Sequence, residues 1–194
     1  MRIVLGVDEA GRGPLAGPVA VGVVAAEEGF DILAAFPGLN DSKKLSEKKR
    51  EMLFSRLVEL SEEGVIRVAV TLKSAKEIDG RGIAAAVRSA AHEGIRKLLP
   101  DPSLGKVWLD GALRAPEGYE QETVIGGDGL IPAIMLASIA AKVSRDRHMV
   151  RLAAQYPDYD FAKHKGYGTA AHIKVIRERG LSDLHRRSFC RNFA

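Results

Sequence analysis

Cysteine is almost missing from this chain: Cys190 is the only one among 194 residues. No disulfide can form within the chain, and no cysteine-based zinc site is possible. Long apolar runs are missing too. The longest, near residues 131–141, is too short to cross a bilayer. The N-terminus has one arginine and then a strand pattern that runs into Asp8-Glu9, which does not suit a signal peptide. These absences point to a cytoplasmic protein with no membrane partner. Internal repeats, low-complexity tracts and interdomain linkers are also absent, so residues 1–194 are expected to form a single domain. Two phosphate-loop patterns fail. Gly11-Arg12-Gly13 is followed next by Gly17, which breaks GxGxxG spacing, and no GxxxxGK[ST] occurs. His172 and His185 lack the partner spacing of a zinc site.

Four acidic residues stand out against this background: Asp8, Glu9, Asp110 and Asp128. Each lies beside glycine or at the end of an apolar run. The runs are Ile3-Val4-Leu5-Gly6-Val7, Val107-Trp108-Leu109 and Val124-Ile125-Gly126-Gly127. Short runs rich in β-branched residues read as buried strands. Carboxylates at the ends of neighbouring strands would meet at one sheet edge, where mutual repulsion raises their pKa values. Divalent cations relieve that repulsion, and oxygen-only ligands select hard ions such as Mg²⁺ or Mn²⁺. Asp8 and Glu9 can share a site only if their strand ends there, because neighbours on a strand point to opposite faces. Each acid also has a plainer reading. Asp8-Glu9 fits an acidic turn, Asp110 a turn cap with Gly111, and Asp128 a cap for a helix starting near Leu130.

The spacing predicts strands at 2–8, 18–26, 65–72, 106–110 and 121–126. It predicts helices at 45–63, 131–155 and Ala170–Arg179, with a long alanine-rich helix through Ile83, Val87, Ala91, Ile95 and Leu98 that Pro100 ends. Ser46 reads as an N-cap, and Ser74 with Glu77 as a capping box. The order implies an α/β protein with a mixed five-stranded sheet flanked by helices. Charge is uneven. Residues 142–194 hold twelve Lys/Arg and five Asp/Glu, a net of +7, against −3 for residues 1–141. An acidic site joined to a basic, helical C-terminal segment suits a polyanion held by one part and cut by another. A solvated helical surface would read the same way.

Two loops carry further candidates. Asp41-Ser42-Lys43-Lys44-Leu45 precedes a helix, so hydroxyl, lysines and helix N-terminus could bind phosphate. His164-Lys165-Gly166-Tyr167-Gly168-Thr169 sets an aromatic ring between glycines, suited to stacking on a base or sugar, or to anchoring the loop. Exposed amides of Gly11-Arg12-Gly13 could approach a sugar-phosphate chain.

Together these segments resemble ribonuclease HII, the type 2 RNase H family. The likeness spans nearly the whole chain. It rests on the run from Asp8 through Gly17-Pro18-Val19, on Asp41-Ser42-Lys43-Lys44-Leu45, Asp110-Gly111 and Gly127-Asp128, on Ala137-Ser138 through Arg145-Asp146, and on the Tyr167 loop. The sister family, ribonuclease HIII, usually has an extra N-terminal domain and Glu as the fourth acid, where this chain has Asp128. Gly82 departs from an asparagine common in the family. The resemblance implies an RNase H-like fold with a small helical C-terminal extension. It implies Asp8, Glu9, Asp110 and Asp128 as catalytic metal ligands for two Mg²⁺ or Mn²⁺ ions. The implied substrates are RNA/DNA hybrids and single ribonucleotides embedded in duplex DNA, cut to a 3′-hydroxyl and a 5′-phosphate. Gly11, Arg12 and Gly13 would read the 2′-hydroxyl, and Tyr167 the junction with the next deoxynucleotide. Lys43, Lys44, Ser138 and Lys142 are candidate phosphate contacts, and Arg145 and Lys163 of the basic segment are expected to grip substrate. A monomer is expected, and the C-terminal residues lack a sliding-clamp peptide pattern. A non-catalytic nucleic-acid-binding module and a metal-dependent DNA nuclease are the alternatives.

Overall fold

Alternation along the apolar runs sets the architecture. The computed structural model describes residues 2–193. Its strands are β1 (Ile3–Ala10), β2 (Val19–Glu27), β3 (Arg67–Lys73), β4 (Gly105–Asp110) and β5 (Glu120–Val124), in the order β3-β2-β1-β4-β5. The pairs β1–β2 and β2–β3 are antiparallel, whereas β1–β4 and β4–β5 are parallel. The mixed five-stranded sheet is therefore as the element order predicts. The helices are α1 (Ile32–Ala35), α2 (Glu47–Glu62), α3 (Ala75–Arg81), α4 (Ile83–Leu98), α5 (Pro132–Ala153), α6 (Phe161–His164) and α7 (Ala170–Arg179). Leu5, Val7, Val21 and Val23 share a core with Val87, Ala91 and Ile95 of α4. Val24 and Ala26 share a second core with Leu53 and Leu57 of α2 and with Leu136 and Ala140 of α5. β2 is buried over all but its last residue, because helices cover both of its faces.

Helix α5 meets the sheet with no side chain between them. A Cβ on Gly6 would lie 2.1 Å from the Ala133 carbonyl carbon, and one on Gly22 would lie 2.2 Å from the Ala137 carbonyl oxygen. Only glycine permits this approach. The contact seats the middle of α5 beside the upper ends of β1 and β2, which brings Ser138 and Lys142 to the acidic end of the sheet.

Several boundaries move for identifiable reasons. The strand predicted at 65–72 starts at Arg67, because Val65 and Ile66 close α2 instead. Both donate their N–H to the Leu60 carbonyl, after Gly64 turns at φ +75°. Helix α2 starts at Glu47, not at residue 45, since the Ser46 hydroxyl caps it. Helix α5 starts at Pro132 with Ile131 in the capping position, so Asp128 does not cap it. Asp128 lies in a separate 3₁₀ turn, Gly127–Gly129. The Ser74–Glu77 capping box forms in both directions, and Gly82 joins α3 to α4 at φ +79°. The C-terminal segment folds back onto the loop between β1 and β2. Ala16 bridges to His185 and packs with Met149, Tyr159 and Phe161, while Leu15 packs with Ile176 and Cys190.

Candidate active site

Strand β1 delivers two acids to one place by outrunning a neighbour. It does not stop at residue 8, as the sequence predicted, but continues beside β2 to Ala10↔Ala20. Its pairing with β4 ends at Val7↔Leu109. Past that point β1 has no neighbour on the β4 side, and Asp8, Glu9 and Asp110 line one cleft. So the two acids share a site even though the strand runs on. Asp128 sits against this cleft from the other side of β4. Its N–H reaches Asp110 Oδ1 at 3.4 Å, and its Oδ2 accepts from Lys43 Nζ at 2.7 Å. Asp8 is 5% exposed and accepts from the Glu9 N–H at 2.7 Å. Burial pushes the Asp8 carboxyl up to about 8. The Ser138 hydroxyl pulls it back, and the charges of Glu9 and Asp110 add to the rise. The Asp128 carboxylate holds the Lys43 ammonium above its ordinary range.

The remaining candidates divide. Gly11, Arg12, Gly13, Lys43, Ser138, Lys142 and Tyr167 all line the same cleft, together with Ser42 and Arg50. Lys44 does not; its ammonium lies 3.9 Å from Asp41. Residues 41–45 do precede a helix, which starts at Glu47 behind its Ser46 cap, and of this loop Ser42 and Lys43 line the cleft. Ser42 is buried and shares a 2.8 Å hydrogen bond with the Ser138 hydroxyl. Tyr167 is 43% exposed, with Lys142 Nζ 6.0 Å and Arg145 Cζ 5.7 Å from its ring centre. Arg12 is exposed and donates to Glu9 at 3.1 Å.

Arg145 is the clear correction. Expected to grip substrate, it is fully buried and holds the backbone instead. Its Nε donates to the Pro18 carbonyl at 2.8 Å, and Nη2 donates to Lys165 at 3.0 Å and Ala16 at 3.3 Å. Arg186 is equally buried and donates to Gly11 at 2.6 Å, Arg12 at 2.9 Å and Gly17 at 3.0 Å. These two guanidiniums brace the glycine loop and the Tyr167 loop from behind. Gly11 packs so closely on Arg145 that a Cβ would lie 1.9 Å from Nε, and it turns at φ +86°. Sequence reasoning missed Arg186. Its one signal was a basic residue next to His185 in a tail of mixed polarity, which cannot be told from a surface residue.

The donor set suits hard divalent cations. It consists of carboxylate oxygens alone, one of them buried with a raised pKa that a cation would lower. Among the described residues no three His, Cys, Asp or Glu side chains already converge tightly enough to hold one ion. Lys43 occupies Asp128 instead, so binding there requires this ammonium to move.

Comparison with known proteins gives the family and the fold. The family described as Ribonuclease HII matches residues 5–192. Ribonuclease HII of Endomicrobium trichonymphae is 45% identical over 188 residues, covering 96% of this chain and 84% of that protein. Ribonuclease HII of Coxiella burnetii (strain Dugway 5J108-111) is 44% identical over 187 residues, covering 96% and 88%. The crystal structure of ribonuclease H2 from Pyrococcus horikoshii OT3 superposes with a TM-score of 0.71 at 27% identity, covering 96% of this chain and 93% of that one. RNase HII of Archaeoglobus fulgidus, solved in complex with PCNA, gives 0.75 at 27% identity, covering 95% and 93%. Bst-RNase HIII in complex with Mn²⁺ gives 0.72 at 18% identity, covering 97% and 67%, a likeness of fold. The RNase H fold is thus confirmed, the family's activity is metal-dependent, and this chain belongs to the ribonuclease HII family as a ribonuclease H acting on nucleic acid.

Proposed function

We propose that this single-domain protein, acting as a monomer, cuts the RNA strand of RNA/DNA hybrids and single ribonucleotides embedded in duplex DNA. One observation carries the reading: the acids Asp8, Glu9 and Asp110 share one cleft with Gly11-Arg12-Gly13 and the exposed ring of Tyr167. Asp8, Glu9, Asp110 and Asp128 are the residues that would hold two Mg²⁺ or Mn²⁺ ions. When bound, such a pair would activate water for in-line attack and stabilise the leaving 3′ oxygen, which would leave a 3′-hydroxyl and a 5′-phosphate. The chain's own groups do the rest. Backbone atoms of Gly11, Arg12 and Gly13, braced by Arg145 and Arg186, face the cleft where a 2′-hydroxyl distinguishes RNA from DNA. Lys43 and Lys142 offer ammonium groups to the phosphates flanking the cut. Ser138 approaches from α5 beside Asp8. Tyr167 packs on the sugar after the ribonucleotide, where a second 2′-hydroxyl would crowd the ring.

The test is cleavage of three duplexes: all-DNA, DNA with one ribonucleotide, and a continuous hybrid, each with and without divalent ions. The expected result is metal-dependent cutting 5′ to the phosphate at ribonucleotides and none of all-DNA. Asp110→Asn should fold and lose at least about 100-fold in turnover, since the loss of mere outer partners already costs 10–100-fold. Near wild-type turnover in that variant would overturn the assignment.

A further inference from the structure

Behind the Tyr167 loop lies a chain of histidines that the chemistry above does not use. The Ser182 N–H donates to His185 Nδ1 at 2.9 Å, His185 Nε2 lies 3.0 Å from His172 Nε2, and His172 Nδ1 lies 2.9 Å from the Tyr167 carbonyl. The two ends decide the protons between them. An amide N–H can only donate, so His185 Nδ1 is bare and its proton sits on Nε2. A carbonyl can only accept, so His172 carries its proton on Nδ1 and offers a bare Nε2 to His185. The middle bond is then satisfied as well, with both rings neutral and each in one tautomer.

His164 repeats the logic beside them. The Gly166 N–H donates to its Nδ1 at 3.1 Å, and its Nε2 donates to the Tyr159 carbonyl at 2.7 Å. Its ring stacks on His172 at 4.2 Å. Phe161 packs edge-on against His172 at 5.5 Å, and Tyr159 and Phe161 lie 5.1 and 5.7 Å from His185. His172 and His185 are 0% and 2% exposed. The titratable groups facing the pair are His164 from the end of α6 and Tyr159 from the turn before it, and no carboxylate is among the charges acting on either ring. Burial holds both rings below the ordinary histidine range, so neutrality is their resting state.

The tyrosine loop needs such support. Lys165 and Gly166 turn at φ +51° and +85°, and Tyr167 itself projects outward between two glycines. The Gly166 carbonyl accepts from the N–H groups of Leu15 and Ala16 at 2.8 and 3.2 Å, and Arg145 holds the Lys165 carbonyl. Those contacts fix the residues before Tyr167. At Tyr167 itself the N–H is taken by the His164 carbonyl at 2.9 Å. Its carbonyl accepts from the Thr169 N–H at 2.8 Å and from His172, the one side chain among the described residues that reaches it.

We infer that His172 and His185 are positioning residues for Tyr167: the neutral pair ties the Tyr167 carbonyl to the segment around Ser182 and so aims the ring at the cleft. Neither imidazole touches substrate. The inference rests on the reading of Tyr167 as the group that meets the ribonucleotide junction.

Three variants separate the possibilities: Tyr167→Ala, His172→Phe and His172→Asn. Phenylalanine keeps a flat ring of similar size but cannot donate to Tyr167; asparagine keeps a donor near the Nδ1 position. Cleavage of a lone ribonucleotide is compared with cleavage of a continuous hybrid. His172→Phe should lower the ratio of the two turnovers about 10-fold, in the direction set by Tyr167→Ala, and His172→Asn should recover most of it. If Tyr167→Ala shifts the ratio and His172→Phe leaves it unchanged, the inference falls alone. If Tyr167→Ala itself changes nothing, the reading of the tyrosine falls and the inference with it. A second measurement needs no variant. Long-range ¹H–¹⁵N spectra of the wild-type protein at pH 7.5 should show His172 as the Nδ1–H tautomer and His185 as the Nε2–H tautomer. His172 as Nε2–H would overturn the relay.

Discussion

Asp8 combines burial with two nearby acids, Glu9 and Asp110, and its cost can be measured. A carboxyl whose folded pKa lies near 8, against 3.8 when unfolded, binds more protons in the folded state between those values. Stability therefore falls as pH rises from about 4 to 8, unless a cation is bound. Asp8→Asn removes that cost. In chelator at pH 8 the variant should be more stable than wild type by on the order of a few kcal/mol and melt above it, while turnover drops at least about 100-fold. Added Mg²⁺ or Mn²⁺ should raise the melting point of wild type more than that of the variant. His185 works in the opposite direction, within an overlapping pH window. Burial and its histidine neighbours lower it to about 4 from 6.5, so the unfolded chain takes up a proton first. This group contributes destabilisation that grows as pH falls from 6.5 to 4. The melting point of His185→Gln should depend less on pH across that window than that of wild type, as calorimetry would show.

At the scale of elements, the β1–β2 loop and the Tyr167 loop are held by cations that never meet solvent. Removing Arg145 leaves three carbonyls without their donor, each worth about 1–3 kcal/mol when orphaned. Arg145→Met should therefore lower stability by roughly 3 kcal/mol or more and reduce turnover, with no change in the salt dependence of KM. A flattened salt slope in a folded Arg145→Met protein would restore the substrate-gripping role that the sequence suggested. This residue marks where sequence reading stops. Apolar runs, Ser46 and the Ser74–Glu77 box reveal elements because their signals are local. The acids were legible because carboxylates at ends of apolar runs are costly without a purpose. Arg145 and Arg186 were not, since a charge count gives every arginine the same weight and their partners lie 127 to 175 positions away, apart from Lys165. Ser42 and Ser138 were both candidates, but the hydrogen bond between them, across 96 positions, was not legible.

For the whole molecule, burial of two arginines leaves fewer cations for the phosphates than the net +7 of residues 142–194 implies. Lys163 and Arg177 remain exposed on that segment. If they meet backbone phosphates, Lys163→Gln with Arg177→Gln should raise KM and reduce the slope of log affinity against log salt by about 0.9 per lost contact, with turnover unchanged. An unchanged slope would move the gripping surface elsewhere, toward Lys43 and Lys142.

The seam at Gly6 and Gly22 has a consequence for tolerance to mutation. Where main chain lies on main chain, there is nothing to re-pack, so the distance from Asp8 on β1 to Ser138 on α5 does not depend on how well the surrounding core is filled. Gly6→Ala must push the two apart and should abolish both folding stability and activity together. Ile95→Ala, fully buried under the opposite face of the sheet, should cost about 2–5 kcal/mol yet leave kcat at low temperature within about twofold of wild type. The protein can therefore drift in most of its interior and keep its cutting edge true, because the part that sets that edge is a hinge-free joint with no moving filler.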